Sequence, residues 1–256
     1  MLTGGVGGAK LVLGLQQVMP AADITVIVNT GDDFVHLGLP VSPDIDTLLY
    51  TLAGKANTAQ GWGRQGESWA FMAALRELGG PDWFALGDGD LALHVSRLAA
   101  RADGQPLSAI TARFAAAFGI AARILPMTDN PVATMLDTDI GRLAFQAYFV
   151  ERRCVPVVTG IDFDGAADAR PGPGVLAAIA AAGAIIIAPS NPWLSVDPIL
   201  AVPGIATALR AAAAPVVAVS PIIDGKAIKG PTAKLMTELG LPVTNASIAT
   251  HYRDVI

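Results

Sequence analysis

Thr3-Gly4-Gly5-Val6-Gly7-Gly8-Ala9-Lys10 decides how the rest of the chain is read. Glycines lack a Cβ, and the backbone N–H groups of such a run can approach and converge on an anion such as a phosphate. Loops of this kind leave the end of a buried strand and enter a helix whose positive N-terminus adds to the field. The helix reads as Lys10 to Met19, apolar at Leu11, Val12, Leu15 and Val18, with Pro20 ending it. Only Met1 and Leu2 precede the loop, too few to cross a sheet, so its strand is expected to be missing. No Gly-Lys-Ser/Thr follows, which excludes a Walker A loop, and Lys10 stands where a dinucleotide fingerprint needs its third glycine. A tight strand-to-helix turn with no ligand is the other reading of the same glycines.

Apolar runs and turn residues alternate downstream as in a βα protein. Strands are expected at Ile24–Asn29, Ala184–Ala188 and Val216–Ser220, and in a more irregular middle insertion at Arg123–Met127, Val132–Leu136 and Arg142–Val150. Helical spacing covers Asp46–Ala53, Glu67–Leu78, Leu91–Ala102, Leu107–Phe118, Val175–Ala182, Ile205–Ala213 and Pro231–Leu239. The fold class expected is α/β, a mostly parallel sheet with helices on both faces, as one domain over residues 1–256. Ile248–Ile256 reads as a helix running on into a further element, so the chain is expected to lack C-terminal elements as well as its first strand.

Composition narrows the function. The 256 residues are 52% hydrophobic with a mean hydropathy of +0.50, much of it alanine. The longest charge-free stretch, Pro171–Val196, is broken by Pro173, Pro189, Pro192 and three glycines, against a membrane span. No signal peptide is visible, and the single Cys154 excludes an intrachain disulfide and a cysteine metal cluster. A cytoplasmic location is expected. The net charge of −5 opposes non-specific nucleic-acid binding, so an anionic ligand needs a local site.

Four segments leave strands with small polar groups where a nucleotide would lie: the glycine loop, Asn29-Thr30-Gly31-Asp32-Asp33, Pro189-Ser190-Asn191-Pro192 and Ser220-Pro221. Ser42-Pro43-Asp44-Ile45-Asp46-Thr47 opens a helix, with Ser42 as N-cap and Pro43 as first helical residue. Its two carboxylates lie close to Asp32 and Asp33, and four hard oxygen donors beside a phosphate loop suit a divalent cation. Asp44 and Asp46 stand about 200° apart on a helix, so Asp44 is expected to face the site and Asp46 to support it. Lys226, Lys229 and Lys234 surround the start of the Pro231 helix; cations there oppose the dipole and imply either a bound anion or a solvated basic turn. His94 follows Asp90 by one helical turn, as an acid–base pair or as a hydrogen-bonded histidine beside a capping acid.

Seven ordered motifs together resemble the 2-phospho-L-lactate transferase family of coenzyme F-420 biosynthesis over essentially the whole chain. They are the glycine loop, Val28-Asn29-Thr30-Gly31-Asp32-Asp33-Phe34, Ser42–Thr47, Trp83-Phe84-x-Leu86-Gly87-Asp88, Leu125–Asp129, Ala188–Pro192, and Ser220–Ile223 with Lys229–Met236. The resemblance implies a Rossmann-like sheet, a magnesium requirement and commonly a homodimer. It implies transfer of a phospholactyl or phosphoenolpyruvyl group from a guanosine diphosphate-linked donor to the deazaflavin Fo, giving coenzyme F-420-0 or its dehydro form, and GMP. Asp44 is the catalytic residue so implied, with Asp44 and Asp46 at the metal. Gly4, Gly5, Gly7, Gly8, Lys10, Asn29, Asp33, Asp88, Ser190, Asn191, Ser220, Lys229 and Lys234 are the expected substrate contacts. Two departures stand out: the family's Leu-Gly-Asp-Arg-Asp reads Leu86-Gly87-Asp88-Gly89-Asp90, and its Ser-Pro-Ile-Ile-Gly-Gly carries Asp224 before Gly225. A cation is lost at the first, and restoring arginine at Gly89 is expected to raise activity. The competing reading is a non-catalytic, sugar-nucleotide-binding regulator of a sister family with the same fold.

Overall fold

The computed structural model describes residues 1–228 and 230–256; Lys229 lies outside the described residues. The chain begins with β1 (Leu2–Thr3), α1 (Gly5–Leu15) and β2 (Thr25–Val28). A hairpin of β3 (Phe34–His36) and β4 (Leu39–Val41) leads into α2 (Pro43–Leu52), α3 (Ala70–Glu77), α4 (Asp88–Ala102) and α5 (Leu107–Ala117). After β5 (Arg123–Pro126) come β6 (Ala133–Thr138), β7 (Gly141–Ala144) and β8 (Val158–Asp164). Then follow α6 (Val175–Ala180), β9 (Ile185–Ile187), α7 (Asp197–Ala201), α8 (Ile205–Ala211) and β10 (Val216–Ala218). A last hairpin, β11 (Ile222–Ile223) and β12 (Lys226–Ala227), precedes α9 (Thr232–Glu238) and α10 (Asn245–Tyr252).

Five of these strands form one parallel sheet in the order β10-β9-β1-β2-β5. The first strand, expected to be missing, is its central strand. Two residues suffice because it is bonded on both sides: Asn29 N–H donates to the Thr3 carbonyl at 3.0 Å, and Ala188 N–H to the Leu2 carbonyl at 3.0 Å. Alternation along β2 sends Val26 and Val28 into one core, with Ala9, Val12, Ile45, Leu48 and Ile124. Ile27 points into the other, with Ile185, Ile187, Ile199, Ile205 and Leu209. Both faces are therefore covered, as parallel sheets require.

The middle insertion is an antiparallel sheet, β7-β6-β8, over a third core of Leu136, Tyr148, Val158, Leu194 and Leu235. Arg142–Val150, read as one strand, is β7 followed by a wide helical turn at Ala147–Glu151. β8 is the longest strand of the chain and was not foreseen. Its outward Asp162 and Asp164 pair with Arg142 at 3.0 and 2.7 Å, which hides a strand among acids. Asp224 has a structural explanation. It and Gly225 take φ +50° and +68° between β11 and β12, and Asp-Gly is a favoured pair for such a two-residue hairpin turn. Among the described residues no single helix is long and apolar enough to cross a membrane.

Candidate active site

From β1 the chain departs through α1 on one face of the sheet, and from β9 through the Pro192–Val196 turn and α7 on the other. Neighbouring strands whose connections part in this way open a crevice at their carboxyl ends, the place where α/β sheets bind ligands. The glycine run and Pro189-Ser190-Asn191 form its two lips. The run is not a loop, however: α1 starts at Gly5, so Gly5–Gly8 are the first turn of the helix. Gly5 needs its φ of +65°. The other three glycines admit close packing. A Cβ on Gly4 would overlap Asp44 Oδ2 and lie 2.8 Å from Ser195 Cβ. On Gly7 it would sit 3.0 Å from the Pro189 carbonyl, and on Gly8 it would overlap Thr3 Oγ1 and lie 2.8 Å from Thr3 Cβ. Gly8→Ala should therefore cost at least the ~1–3 kcal/mol of an overpacked core, read as a lower urea midpoint at unchanged slope.

Ser190 buckles the two lips together. Its hydroxyl donates to the Gly4 carbonyl at 2.7 Å and accepts the Gly4 N–H at 3.3 Å. Asn191 Oδ1 accepts the N–H groups of Trp193 and Leu194 at 3.0 and 3.1 Å, while its Nδ2 is buried without a partner. That donor is free for a ligand acceptor.

Asp44 closes the crevice from α2. Oδ1 accepts the Gly5 N–H at 2.6 Å and Oδ2 accepts Asn29 Nδ2 at 3.0 Å. Asn29 is wholly buried; it also donates to the Leu194 carbonyl and accepts the Gly31 N–H at 2.7 Å. Its polar atoms are spent inside the protein, so it positions Asp44. Ser42 occupies the N-cap place of α2, but its hydroxyl donates to Asp33 Oδ2 at 2.7 Å instead of capping. Asp32 Oδ1 and Asp33 Oδ1 are buried with no hydrogen-bond partner. Burial first, then mutual repulsion, raises these carboxyls. Asp33 is pushed up to about 8 and Asp44 to about 6, and Asp32 rises well above the usual range under burial and the charge of Asp44.

Asp46 faces away, as its angular offset predicts. It forms a buried ion pair with Arg97, whose Nη1 donates to the Pro40 carbonyl and to His94 Nδ1, both at 3.1 Å. Since the guanidinium only donates, His94 Nδ1 accepts and Nε2–H points to Asp90 Oδ2 at 3.1 Å. Asp90 Oδ1 in turn accepts the Tyr50 hydroxyl at 2.5 Å. The Asp90–His94 pair is thus a link in a chain that fastens α4 to α2. Arg97, one turn beyond His94 on the same face, was missed; the i, i+3 spacing was its only local signal.

Several other expected contacts are hydrogen-bonded within the chain; Ser220 among them follows β10, whose Ala218 pairs with Ile187 of β9, at the carboxyl edge of the sheet. Asp88 caps α3, accepting from Ser68 Oγ at 2.6 Å and from the N–H groups of Ala70 and Phe71. Ser220 donates to Asn245 Oδ1 at 2.7 Å. Lys234 pairs with Glu238 at 2.5 Å and donates to the Pro156 carbonyl at 2.7 Å, tying α9 to the segment before β8. Lys10 is exposed on α1. Next to the acidic cluster opens a cleft of about 270 Å³, walled by Phe34, Pro40, Leu107 and Val132, with Asp33, Asp129, Asp164, Asn130, Ser42 and Arg101 among its polar groups.

A divalent cation fits the chemistry of this cluster: hard oxygens, two of them buried and unpartnered, on carboxyls that burial keeps from ionising. Of the expected pair, Asp44 stands beside Asp32 and Asp33, while Asp46 is paired with Arg97 through Oδ1 and keeps a buried Oδ2 without a partner. Among the described residues no three ligating side chains already converge on one point.

Residues 1–255 match the family described as 2-phospho-L-lactate transferase CofD. The chain belongs to the 2-phospho-L-lactate transferase family. Among relatives of this transferase chain, a phosphoenolpyruvate transferase of Streptomyces griseus is 44% identical over 257 residues, covering 98% of this chain and 81% of that one. A 2-phospho-L-lactate transferase of Methanosarcina mazei is 37% identical over 256 residues, covering 100% and 84%. A crystal structure of a UPF0052-family protein from Bacillus halodurans matches with a TM-score of 0.57 at 21% identity, covering 83% of this chain and 65% of that one. That likeness concerns the fold alone. For this transferase family member, the glycine turn, Ser190-Asn191 and the Asp32–Asp44 cluster form one crevice, Ser220 ends the strand next to it, and Asp88 and Lys234 also tie neighbouring elements together.

Proposed function

We propose that this transferase moves a 2-phospholactyl or phosphoenolpyruvyl group from a guanosine diphosphate-linked donor to the deazaflavin Fo, with Mg²⁺ as cofactor. One observation carries the reading: a buried carboxylate, Asp44, held by the first N–H of α1 at the mouth of the sheet's switch point. The N-terminus of α1 and the free Nδ2 of Asn191 provide donors for the diphosphate. The cleft beside Asp33 is slightly smaller than the ~300–1,000 Å³ of typical small-molecule sites and suits one flat ring system. A homodimer is carried by the sequence resemblance alone, and a cytoplasmic location by the composition.

In this mechanism Asp44 accepts the proton of a primary hydroxyl of Fo. The freed oxygen bonds to the donor phosphorus distal to guanosine, and the bond from that phosphorus to GMP breaks. No covalent enzyme intermediate is needed; positioning and neutralisation of charge do the work. A Mg²⁺ held by Asp44, Asp32 and Asp33 would supply charge neutralisation to the diphosphate. In the metal-free site burial raises the Asp44 carboxyl to about 6, so it is ionised at neutral pH.

The test is the product. Protein incubated with Mg²⁺, Fo and each donor in turn is expected to release GMP and a deazaflavin whose mass identifies the three-carbon acid. The enolpyruvyl donor comes first, because the 44% identical relative is named for it. No deazaflavin product from either donor would overturn the proposal.

The raised carboxyls also set a pH dependence. Their unfolded value is 3.8, so between about pH 4 and 8 the folded protein holds protons that the unfolded chain releases. Stability of the metal-free protein should fall across that window. A cation bound to the ionised cluster removes the penalty, so Mg²⁺ should raise Tm more at pH 8 than at pH 5. Equal shifts at both pH values, or none, would take the cation away from these carboxylates.

A further inference from the structure

The turn Pro192–Val196 carries the chain from the lip after β9 into α7. Pro192, Trp193, Leu194 and Val196 are apolar and buried, Leu194 in the core under the antiparallel sheet, Trp193 and Val196 in the core with Ile199 and Ile205. Ser195 is the exception in this turn. It is only 9% exposed. Its N–H donates to the Asn191 carbonyl at 2.9 Å, but its hydroxyl has no hydrogen-bond partner among the described residues. Nor is that oxygen walled off, unlike the enclosed, unpartnered hydroxyls of Thr134 and Tyr252. Alanine would fill the place without burying a polar group, so the fold alone does not ask for a hydroxyl there.

The crevice does. A Cβ on Gly4 would overlap Asp44 Oδ2, lie 2.8 Å from Ser195 Cβ and 3.1 Å from Ser195 Oγ. Asp44 from α2 and Ser195 from the turn after β9 thus converge on the one face of Gly4 from which a side chain is missing. The other donors around Gly4 are spent. Gly4 N–H goes to Ser190, Gly5 N–H to Asp44, and Asn29 Nδ2 to Asp44 and the Leu194 carbonyl. Beside the Asp44 carboxylate, the Ser195 hydroxyl is the donor left over. In the reaction proposed above, the oxygen that loses its proton to Asp44 is the one that bonds to phosphorus. The phosphoryl group under attack must therefore lie against Asp44, and so against Ser195. Its non-bridging oxygens are charged, and a fixed donor is worth most where charge develops in the transition state.

We infer that Ser195 is a phosphoryl-binding residue, whose hydroxyl donates a hydrogen bond to a non-bridging oxygen of the group being transferred. The inference rests on the transferase reading above. Ser195 keeps its proton throughout. The attacking hydroxyl gives its own proton to Asp44, and the electron pair of the broken P–O bond leaves with GMP. Ser195 meets the phosphoryl group and not the three-carbon acid attached to it, so its role is the same for a phospholactyl and an enolpyruvyl donor.

The experiment compares Ser195→Ala and Ser195→Cys with wild type, with Mg²⁺ present. It reads kcat, the KM of the donor, Fo affinity by fluorescence titration, and Tm. Cysteine nearly keeps the shape but is a weak donor, so both variants should behave alike. In each, kcat/KM for the donor should fall by about 10- to 100-fold, the worth of one hydrogen bond to a charged group. Fo affinity and Tm should match wild type, because the hydroxyl is bonded to nothing in the free protein. A variant that keeps more than half of wild-type kcat/KM overturns the assignment. So does a matching loss of Fo affinity, which would put the hydroxyl on the acceptor, or a fall in Tm large enough to account for the lost activity. A phosphorylated Ser195 trapped during turnover would make it a nucleophile and overturn it too. A wild-type protein that turns over neither donor overturns the transferase reading itself, a distinct result.

Discussion

Asp44→Ala is expected to lower turnover by about 10²–10⁴-fold, the usual worth of a positioned general base, with the fold retained. The residue is expendable for stability because burial already disfavours its charge, which is what lifts its carboxyl to about 6. Removing it leaves the Gly5 N–H and Asn29 Nδ2 without their acceptor, a loss offset by relief of repulsion on Asp32 and Asp33. Asp44→Asn separates shape from charge. It keeps the volume but sets an amide donor against one of those two donors, and it cannot take a proton. Turnover as low as in the alanine variant, with Tm within a few degrees of wild type, is the expected result. An asparagine variant with more than a tenth of wild-type turnover would show that the carboxylate is not the base.

The parallel sheet was legible because its strands are buried on both faces and read as short apolar runs; Ile24–Asn29 and Ala184–Ala188 needed nothing else. The acids at the strand ends were legible too, and the 200° between Asp44 and Asp46 foretold their parting. Distance in the chain hid the rest. Asp88 caps a helix that begins 18 residues before it, and no local pattern distinguishes that from a substrate contact. Lys234 answers to Pro156, 78 residues away. The glycine run shows a deeper ambiguity. Phosphate approach and close packing both demand the absence of a Cβ, so sequence alone cannot separate them. Here Gly4 and Gly8 are required by Asp44, Ser195 and Thr3 before any ligand is considered. At Gly89 a Cβ would overlap the end of the Arg64 side chain, so that glycine carries a packing reading as well.

Arg97→Ala should be the most destabilising single change around the site, by about 3–5 kcal/mol, because it strands Asp46 as a buried unpaired carboxylate. Against a typical total of about 5–15 kcal/mol, such a loss brings the protein close to unfolding. More than one partner is affected. Asp46, the Pro40 carbonyl and His94 Nδ1 all lose their donor, and His94 is the link through Asp90 to Tyr50. The pair itself need not stabilise the fold, since taking two charges out of water offsets much of their attraction. Asp46→Leu combined with Arg97→Met should therefore recover most of the stability that Arg97→Ala loses, measured by urea denaturation. Such a double variant would still lack the chain that sets α4 against α2. Its activity should stay below wild type although its midpoint recovers. If stability and activity return together, the buried pair serves packing alone and the Asp46–Arg97–His94 chain has no part in holding Asp44 in place.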